Sequence, residues 1–300
     1  MGSLALRQRY IDIQISRLAR ENPEPTPPKV LECADVLVYC GENRRFCAVL
    51  NFILEVTVDQ IAPLFSPDQL DGRTSKSVQV YELLRNAIIS LKMPPDSAVV
   101  EKDICAQLGI SRTPLREAIL QLAKESLIKI APSDGTFVNK IVLREVLQGQ
   151  LVRDTIEMRL TQLAARNFRS EYEKDFELAL FKQKAAAKRK DVDEFFALDN
   201  EFHKLICESA GFPAAWLAIH NATGQLDRVR RQAFPLEGHY SIVFDEHREI
   251  YERIKKRDEA GAAAAFQVQL DSTFPSIQIL REKRPDLISG DADISISDIR

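Results

Sequence analysis

The stretch from Val78 to Val138 constrains this chain more than any other, because its hydrophobic period switches from helical to strand-like within one short run. Val80, Leu83, Leu84, Ala87, Ile88 and Leu91 recur at the i, i+3, i+4, i+7 spacing of one buried face and predict a helix from about Val78 to Leu91. Met93-Pro94-Pro95 ends it. Glu101 to Leu108 predicts a second, shorter helix stopped by Gly109. A third starts at Ser111, whose hydroxyl can accept a first-turn amide, with Pro114 in the turn that needs no donor. Beyond it, Leu127-Ile128-Lys129-Ile130 and Thr136-Phe137-Val138 flank Ala131-Pro132-Ser133-Asp134-Gly135, which predicts two short strands around a turn.

The third helix directs Leu115, Ala118, Ile119 and Leu122 to one side and Arg112, Thr113 and Arg116 to the other. A helix, a helix-turn-helix and a hairpin in this order form a winged helix-turn-helix. In such a unit the start of the second helix of the pair enters the major groove of DNA. An arginine there can donate two hydrogen bonds to guanine or hold a phosphate. Between Asp71 and Lys140 there are ten Lys/Arg and eight Asp/Glu, a balance of +2, while the whole chain carries −3. That distribution excludes indiscriminate coating of nucleic acid and leaves a small, local footprint.

The run Ile104-Cys105-Ala106-Gln107-Leu108-Gly109-Ile110-Ser111-Arg112-Thr113-Pro114-Leu115-Arg116-Glu117-Ala118 resembles, without a gap, the signature of GntR-family winged-helix regulators. The resemblance implies DNA contacts from Lys102, Ser111, Arg112, Thr113 and Arg116, and from Gly135 at the wing tip near the minor groove. The chain departs from the family pattern at Leu120, where a basic residue is frequent, at Ser126, where glycine is frequent, and at Asp134, where the wing tip is usually basic.

At 300 residues, 45% hydrophobic and 28% charged, the chain has the composition of an ordinary globular protein with room for two domains. The expected division is an unassigned, poorly ordered extension over 1–70, the winged helix-turn-helix over 71–140, a helical domain over 141–284 and a disordered tail over 285–300. The longest apolar run, Phe46 to Leu54, is interrupted by Asn51 and falls far short of the roughly 20 residues that span a bilayer. With no secretory or acylation pattern at the start, the cytoplasm is the expected location. Asn22-Pro23-Glu24-Pro25-Thr26-Pro27-Pro28 has linker chemistry. The five cysteines read as reduced thiols: Cys33, Cys40 and Cys47 lie seven apart, not at zinc spacing, and leave a redox switch open, while Cys105 and Cys207 are small apolar fillers of helices.

From Leu143 onward helix signals follow one another and strand signals do not recur, which predicts an antiparallel all-α bundle of about six helices. They run near Leu143 to Phe168, Glu171 to Arg189, Val192 to Ser209, Ala214 to Ala233, Ile242 to Lys256 and Glu259 to Lys283. Asp191 with Glu194 forms a capping box, and Pro213 marks a helix start. Within the third of these helices, Asp199 and His203 lie beside the stripe Phe195, Leu198, Phe202, Leu205 and Ile206, so both point inward. A buried carboxylate and imidazole one turn apart are either paired with each other or offer two ligands to a divalent transition ion. His247 supplies an imidazole from a later helix.

Leu198-Asp199-Asn200-Glu201-Phe202-His203 and Glu246-His247-Arg248 resemble the two metal-binding segments of the FCD domain found in FadR-type GntR regulators. That resemblance implies a metal held by one Asp and three His, with Gln269 at the position of the third histidine. Asp199, His203 and His247 are then the candidate ligands for one divalent ion of the zinc or nickel type. Arg153 and Glu157 match an inward Arg and Glu of the domain, and with Gln269 they are the candidate effector residues. A guanidinium there suits a small organic acid; a local Arg153–Glu157 salt bridge accounts for the pair equally well.

Taken together, these features imply a homodimeric, ligand-responsive regulator of the repressor type that binds operator DNA. The rival is a metal-dependent enzyme using Asp199, His203 and His247, which lacks an evident added acid, base or nucleophile. A third reading, an interaction bundle that has lost DNA binding, draws on Leu120 and Asp134.

Overall fold

A computed structural model of the chain describes residues 64–289. The expectations for residues 1–63, including the proline-rich linker and Cys33, Cys40 and Cys47, and those for residues 290–300 lie outside the described residues.

The reading head consists of α1 (Lys76–Ile89), α2 (Glu101–Leu108), α3 (Arg112–Lys124) and an antiparallel hairpin, β1 (Ile128–Ala131) with β2 (Gly135–Val138). Helix α1 stops two residues before its predicted end because Leu91 turns left-handed (φ 60°), and the Met93 amide then donates back to the Ala87 carbonyl at 2.9 Å. Helix α2 has the predicted bounds: Gly109 occupies the left-handed region (φ 63°) that glycine enters without cost, and its amide closes on Cys105. Ser111 is the N-cap of α3, but its hydroxyl makes no capping bond, contrary to expectation. The hairpin register pairs Ile128 with Val138 and Ala131 with Gly135. Ser126, between α3 and β1, holds φ 56°, the conformation for which glycine is the natural residue.

Val80, Leu84 and Ile88 of α1, Ile104 and Leu108 of α2, and Leu115, Ile119 and Leu122 of α3 meet in one apolar core. Burying each such side chain contributes roughly 1.5–3 kcal/mol. Phe65 belongs to the same core, and its amide donates to Gln107 Oε1 at 3.1 Å. Residues 64–70, assigned to the extension from sequence, therefore pack on the head.

The bundle contains α4 (Leu143–Val152), a π-helical turn (Arg153–Glu157), α5 (Met158–Asn167), α6 (Glu173–Arg189), α7 (Val192–Ser209), α8 (Ala215–Ala222), α9 (Gly224–Ala233), α10 (His239–Lys255) and α11 (Glu259–Lys283). Two predicted helices are interrupted. The first passes through the π turn, and the fourth breaks at Thr223, where α9 starts again. Caps fix α7 and α11: Asp191 accepts from the Glu194 amide at 3.0 Å and Asp258 from the Gly261 amide at 2.9 Å. The reciprocal half of the expected capping box is absent, since Glu194 pairs with Arg189 instead. Phe176, Phe202, Ile250, Phe266 and Leu270 fill the bundle core.

The connection between head and bundle is held from the far end of the chain. Ile141 bridges Ile288 in parallel, and the Ser289 amide donates to the Ile141 carbonyl at 2.9 Å. Leu287 is buried. Residues 285–289, expected in a disordered tail, are therefore packed.

Candidate ligand site and candidate DNA face

The bundle centre is polar. Arg153, Glu157, Asp199, His203 and His247 are each at most 2% exposed. The extra residue of the π turn brings Arg153 and Glu157 onto one inward face, a local distortion that recurs at functional sites. Arg153 Nε donates to Glu157 Oε2 at 2.7 Å. Burial would raise the Glu157 carboxyl, but Arg153 and His203 outweigh it and hold it down at about 2. His203 Nδ1 lies 2.5 Å from Glu157 Oε1, and its Nε2 lies 2.9 Å from Arg153 Nη2. Burial lowers the His203 pKa, against the pull of the Glu157 carboxylate.

His247 stacks on Phe202 with ring centroids 4.1 Å apart, and its Nδ1 meets Gln183 Oε1 at 3.0 Å, which leaves Nε2 as the lone-pair nitrogen. That Nε2 has no hydrogen-bond partner and lies 3.5 Å from Asp199 Oδ1. One ligand atom each from Asp199, His203 and His247 falls within 4.8 Å of the others. The set fits a three-ligand metal site, with Glu157 and Gln183 orienting the two imidazoles from behind. Two guanidinium groups compete with an ion there: Arg230 is paired with Asp199, and Arg153 sits on His203.

Beside this cluster is a small cavity of about 30 Å³ lined by Arg153, Asp199, Arg230, Glu246, Gln269 and Ser272, among others. Gln269 Oε1 points into the buried region without a partner. Burial pushes the Glu246 carboxyl up to about 7, although Ser272 donates to it at 3.3 Å. Of the residues singled out from sequence, the structure places Arg153, Glu157, Asp199, His203, His247 and Gln269 as buried neighbours. Sequence reasoning missed Arg230, Glu246 and Ser272. Arg230 stands in Arg228-Val229-Arg230-Arg231, a charge run that reads as solvated, yet Arg228 is fully buried and the Arg230 side chain is 10% exposed.

On the head, Lys102, Ser111, Arg112, Thr113, Arg116 and Gly135 are all exposed. Arg112, Thr113 and Arg116 share the outer face of α3, opposite its buried residues. Arg116 is not free: its Nε donates to Glu101 at 3.1 Å, a surface pair worth little and easily exchanged for a phosphate. Leu120 is 56% exposed on the same helix, and Asp134 is exposed at the hairpin turn.

A winged-helix reading head carried on a helical bundle with a buried polar centre defines a ligand-responsive DNA-binding regulator. Residues 76–138 match the model of bacterial regulatory proteins of the gntR family, and residues 150–272 match that of the FCD domain. The HTH-type transcriptional repressor RspR of Escherichia coli K12 is 31% identical over 74% of this chain and 97% of its own length. An HTH-type transcriptional regulator of Streptomyces ambofaciens is 30% identical over 75% of this chain and 94% of its own. Among solved structures, E. coli McbR/YncC shares the fold with a TM-score of 0.60 at 20% identity, covering 70% of this chain and 99% of that one. The chain belongs to the GntR family, in its FadR-type arrangement with an FCD domain. Its members are transcriptional regulators, which closes the enzyme reading of the Asp199, His203 and His247 cluster.

Proposed function

We propose that this protein is a cytoplasmic, homodimeric repressor whose operator affinity is set by a small anionic metabolite in the bundle cavity. The observation that carries the effector reading is the cavity wall: two guanidinium groups, Arg153 and Arg230, meet the unpartnered Gln269 Oε1 and the Ser272 hydroxyl. Guanidinium matches a carboxylate in shape and charge, and the amide and hydroxyl suit the rest of a hydroxy acid. At about 30 Å³ the cavity has room for a water or two, so an organic acid enters only as its walls yield.

On the DNA side, Arg112 and Arg116 are the base- and phosphate-reading arginines, with Thr113, Ser111 and Lys102 fixing the backbone and Gly135 bringing the wing close. Two half-sites require two heads. The exposed apolar side chains Leu178 and Phe181, one turn apart on α6, offer part of a surface for a second copy. Repression agrees with the naming of the E. coli relative.

Fluorescence-anisotropy titration on DNA from upstream of its own gene, at several salt concentrations, tests this reading. Specific, salt-steep binding is expected, with loss of preference over random DNA in Arg112→Ala/Arg116→Ala. Binding without preference at physiological salt, unchanged by the double substitution, would refute it.

A metal-assisted form of the same site is favoured by one observation, the unpartnered His247 Nε2 beside Asp199. Asp199, His203 and His247 would hold a divalent ion of the zinc or nickel type, with Gln269 at the remaining side. A bound ion supplies an open coordination position for an effector carboxylate. Arg153 would then have to swing from His203 onto that carboxylate. Equilibrium dialysis against zinc, with Asp199→Asn as control, distinguishes this form from a metal-free anion site.

A further inference from the structure

A single line of alternating charges joins the ligand cavity to the reading helix. Arg230, in the cavity wall, pairs with Asp199 through one amino group and donates to Asp227 Oδ1 at 2.8 Å through the other. Asp227 Oδ2 accepts from Arg85 Nη2 at 2.7 Å. Arg85, on α1 of the head, donates through Nε to Glu125 Oε2 at 3.2 Å and through Nη2 to the His220 carbonyl at 3.0 Å. Glu125 is the C-cap of α3, and its other oxygen accepts from the Tyr81 hydroxyl at 2.5 Å. Arg85, Asp227 and Glu125 side chains are 1%, 1% and 4% exposed, and Arg230 is the most exposed intermediate member at 10%.

In such a line every inner charge is shared by two opposite ones, so displacing one member changes how its neighbours divide their pairing in turn. Low local dielectric makes the coupling strong. Burial opposes ionisation of Asp227, and Arg85 and Arg230 together overcome it, lowering its pKa. Helix α9 makes the connection mechanical as well as electrostatic. A Cβ at Gly224, in its first turn, would meet Glu125 Oε2 at 3.0 Å and Leu127 Cδ1 at 3.1 Å, and Gln225 Nε2 donates to the Ser126 carbonyl at 2.6 Å. One end of α9 thus grips the end of the reading helix, and Arg230, two turns on, faces the cavity.

We propose that Arg230 couples the two functions: a carboxylate entering the cavity draws its guanidinium away from Asp227, Asp227 and Arg85 rearrange, and the hold on the C-terminal end of α3 loosens. This rests on the anionic-effector reading for its trigger, but the coupling itself can be read without any effector.

The test is hydrogen exchange followed by mass spectrometry on the full chain, comparing Arg230→Gln, Arg85→Gln and Arg231→Gln. In Arg230→Gln and Arg85→Gln, protection over residues 122–128 is expected to fall by about fivefold or more, the size of an ordinary coupling between sites. Arg231→Gln, next to Arg230 on α9 but paired with Asp193 and off the line, leaves that segment protected. Arg230→Lys, which keeps the charge but gathers it on one nitrogen in place of two separate amino groups, supplies a folded intermediate case should the glutamine variant fail to fold. Unchanged protection in Arg230→Gln while Arg85→Gln opens the segment overturns the coupling, as does equal opening in Arg231→Gln. Failure of the effector reading looks different: succinate, citrate and gluconate would leave DNA binding by the unsubstituted protein unchanged while the exchange pattern of Arg230→Gln still held.

Discussion

The two halves of this molecule are stabilised by opposite means. The head encloses an apolar core in which Val80, Leu84, Leu115 and Leu122 are fully buried, and the buried charge it contributes, Arg85, is turned outward to the bundle. The bundle instead encloses Arg153, Glu157, Asp199, His203 and His247 at its centre. Buried charges cost several kcal/mol unless paired and repay little when they are. A rigid reading surface is therefore built from packing, and responsiveness is built where packing is replaced by charges that a ligand can rearrange.

Four single substitutions and one double can break or sharpen that contrast. The largest effect is expected from Glu157→Gln, which strands Arg153: a loss of about 3–5 kcal/mol in urea denaturation. The paired substitution Arg153→Met/Glu157→Leu should recover most of it, showing that the charges serve binding and not stability; a double variant as unstable as the single one would break the contrast. Glu157 also supplies a pH signature. Its folded pKa, about 2, lies below the ordinary 4.5, so its contribution is present above about pH 4.5 and is lost as pH falls toward 2. The acid limb of the stability curve should flatten in Glu157→Gln.

Next, Leu122→Ala in the head should cost about 2–5 kcal/mol by cavity formation alone, with no dependence on pH or added carboxylates. Gly224→Ala should follow at about 1–3 kcal/mol, since the methyl presses on Glu125 and Leu127. Its thermal unfolding should separate head from bundle more clearly than in the unsubstituted chain. The smallest effect is a gain: Ser126→Gly relieves a left-handed serine and should stabilise by about 0.5–1 kcal/mol, with DNA affinity unchanged.

Local chemistry made much of this legible. Gly109 fixed the end of α2, Asp191 and the heptad-like stripe after it fixed α7, and the inward angle of Asp199 and His203 followed from their spacing to Phe195 and Phe202. The interruptions were not legible, because nothing in Arg153 to Glu157 distinguishes a π turn from an α turn, and the break at Thr223 answers to packing against the head. Arg85, Asp227 and Arg230 escaped for the same reason. Each looks like a solvated charge in its own helix, and only contacts made across 142 residues, as between Arg85 and Asp227, turn it into a buried one.

The bond between Ser289 and Ile141 has a consequence for the order of folding. The head closes its core from a nearly contiguous stretch, so its contacts are local and can form early. The segment joining it to the bundle waits for a partner 148 positions downstream. Contacts of that span pay their loop entropy late, so the head should acquire its shape before it acquires its tether.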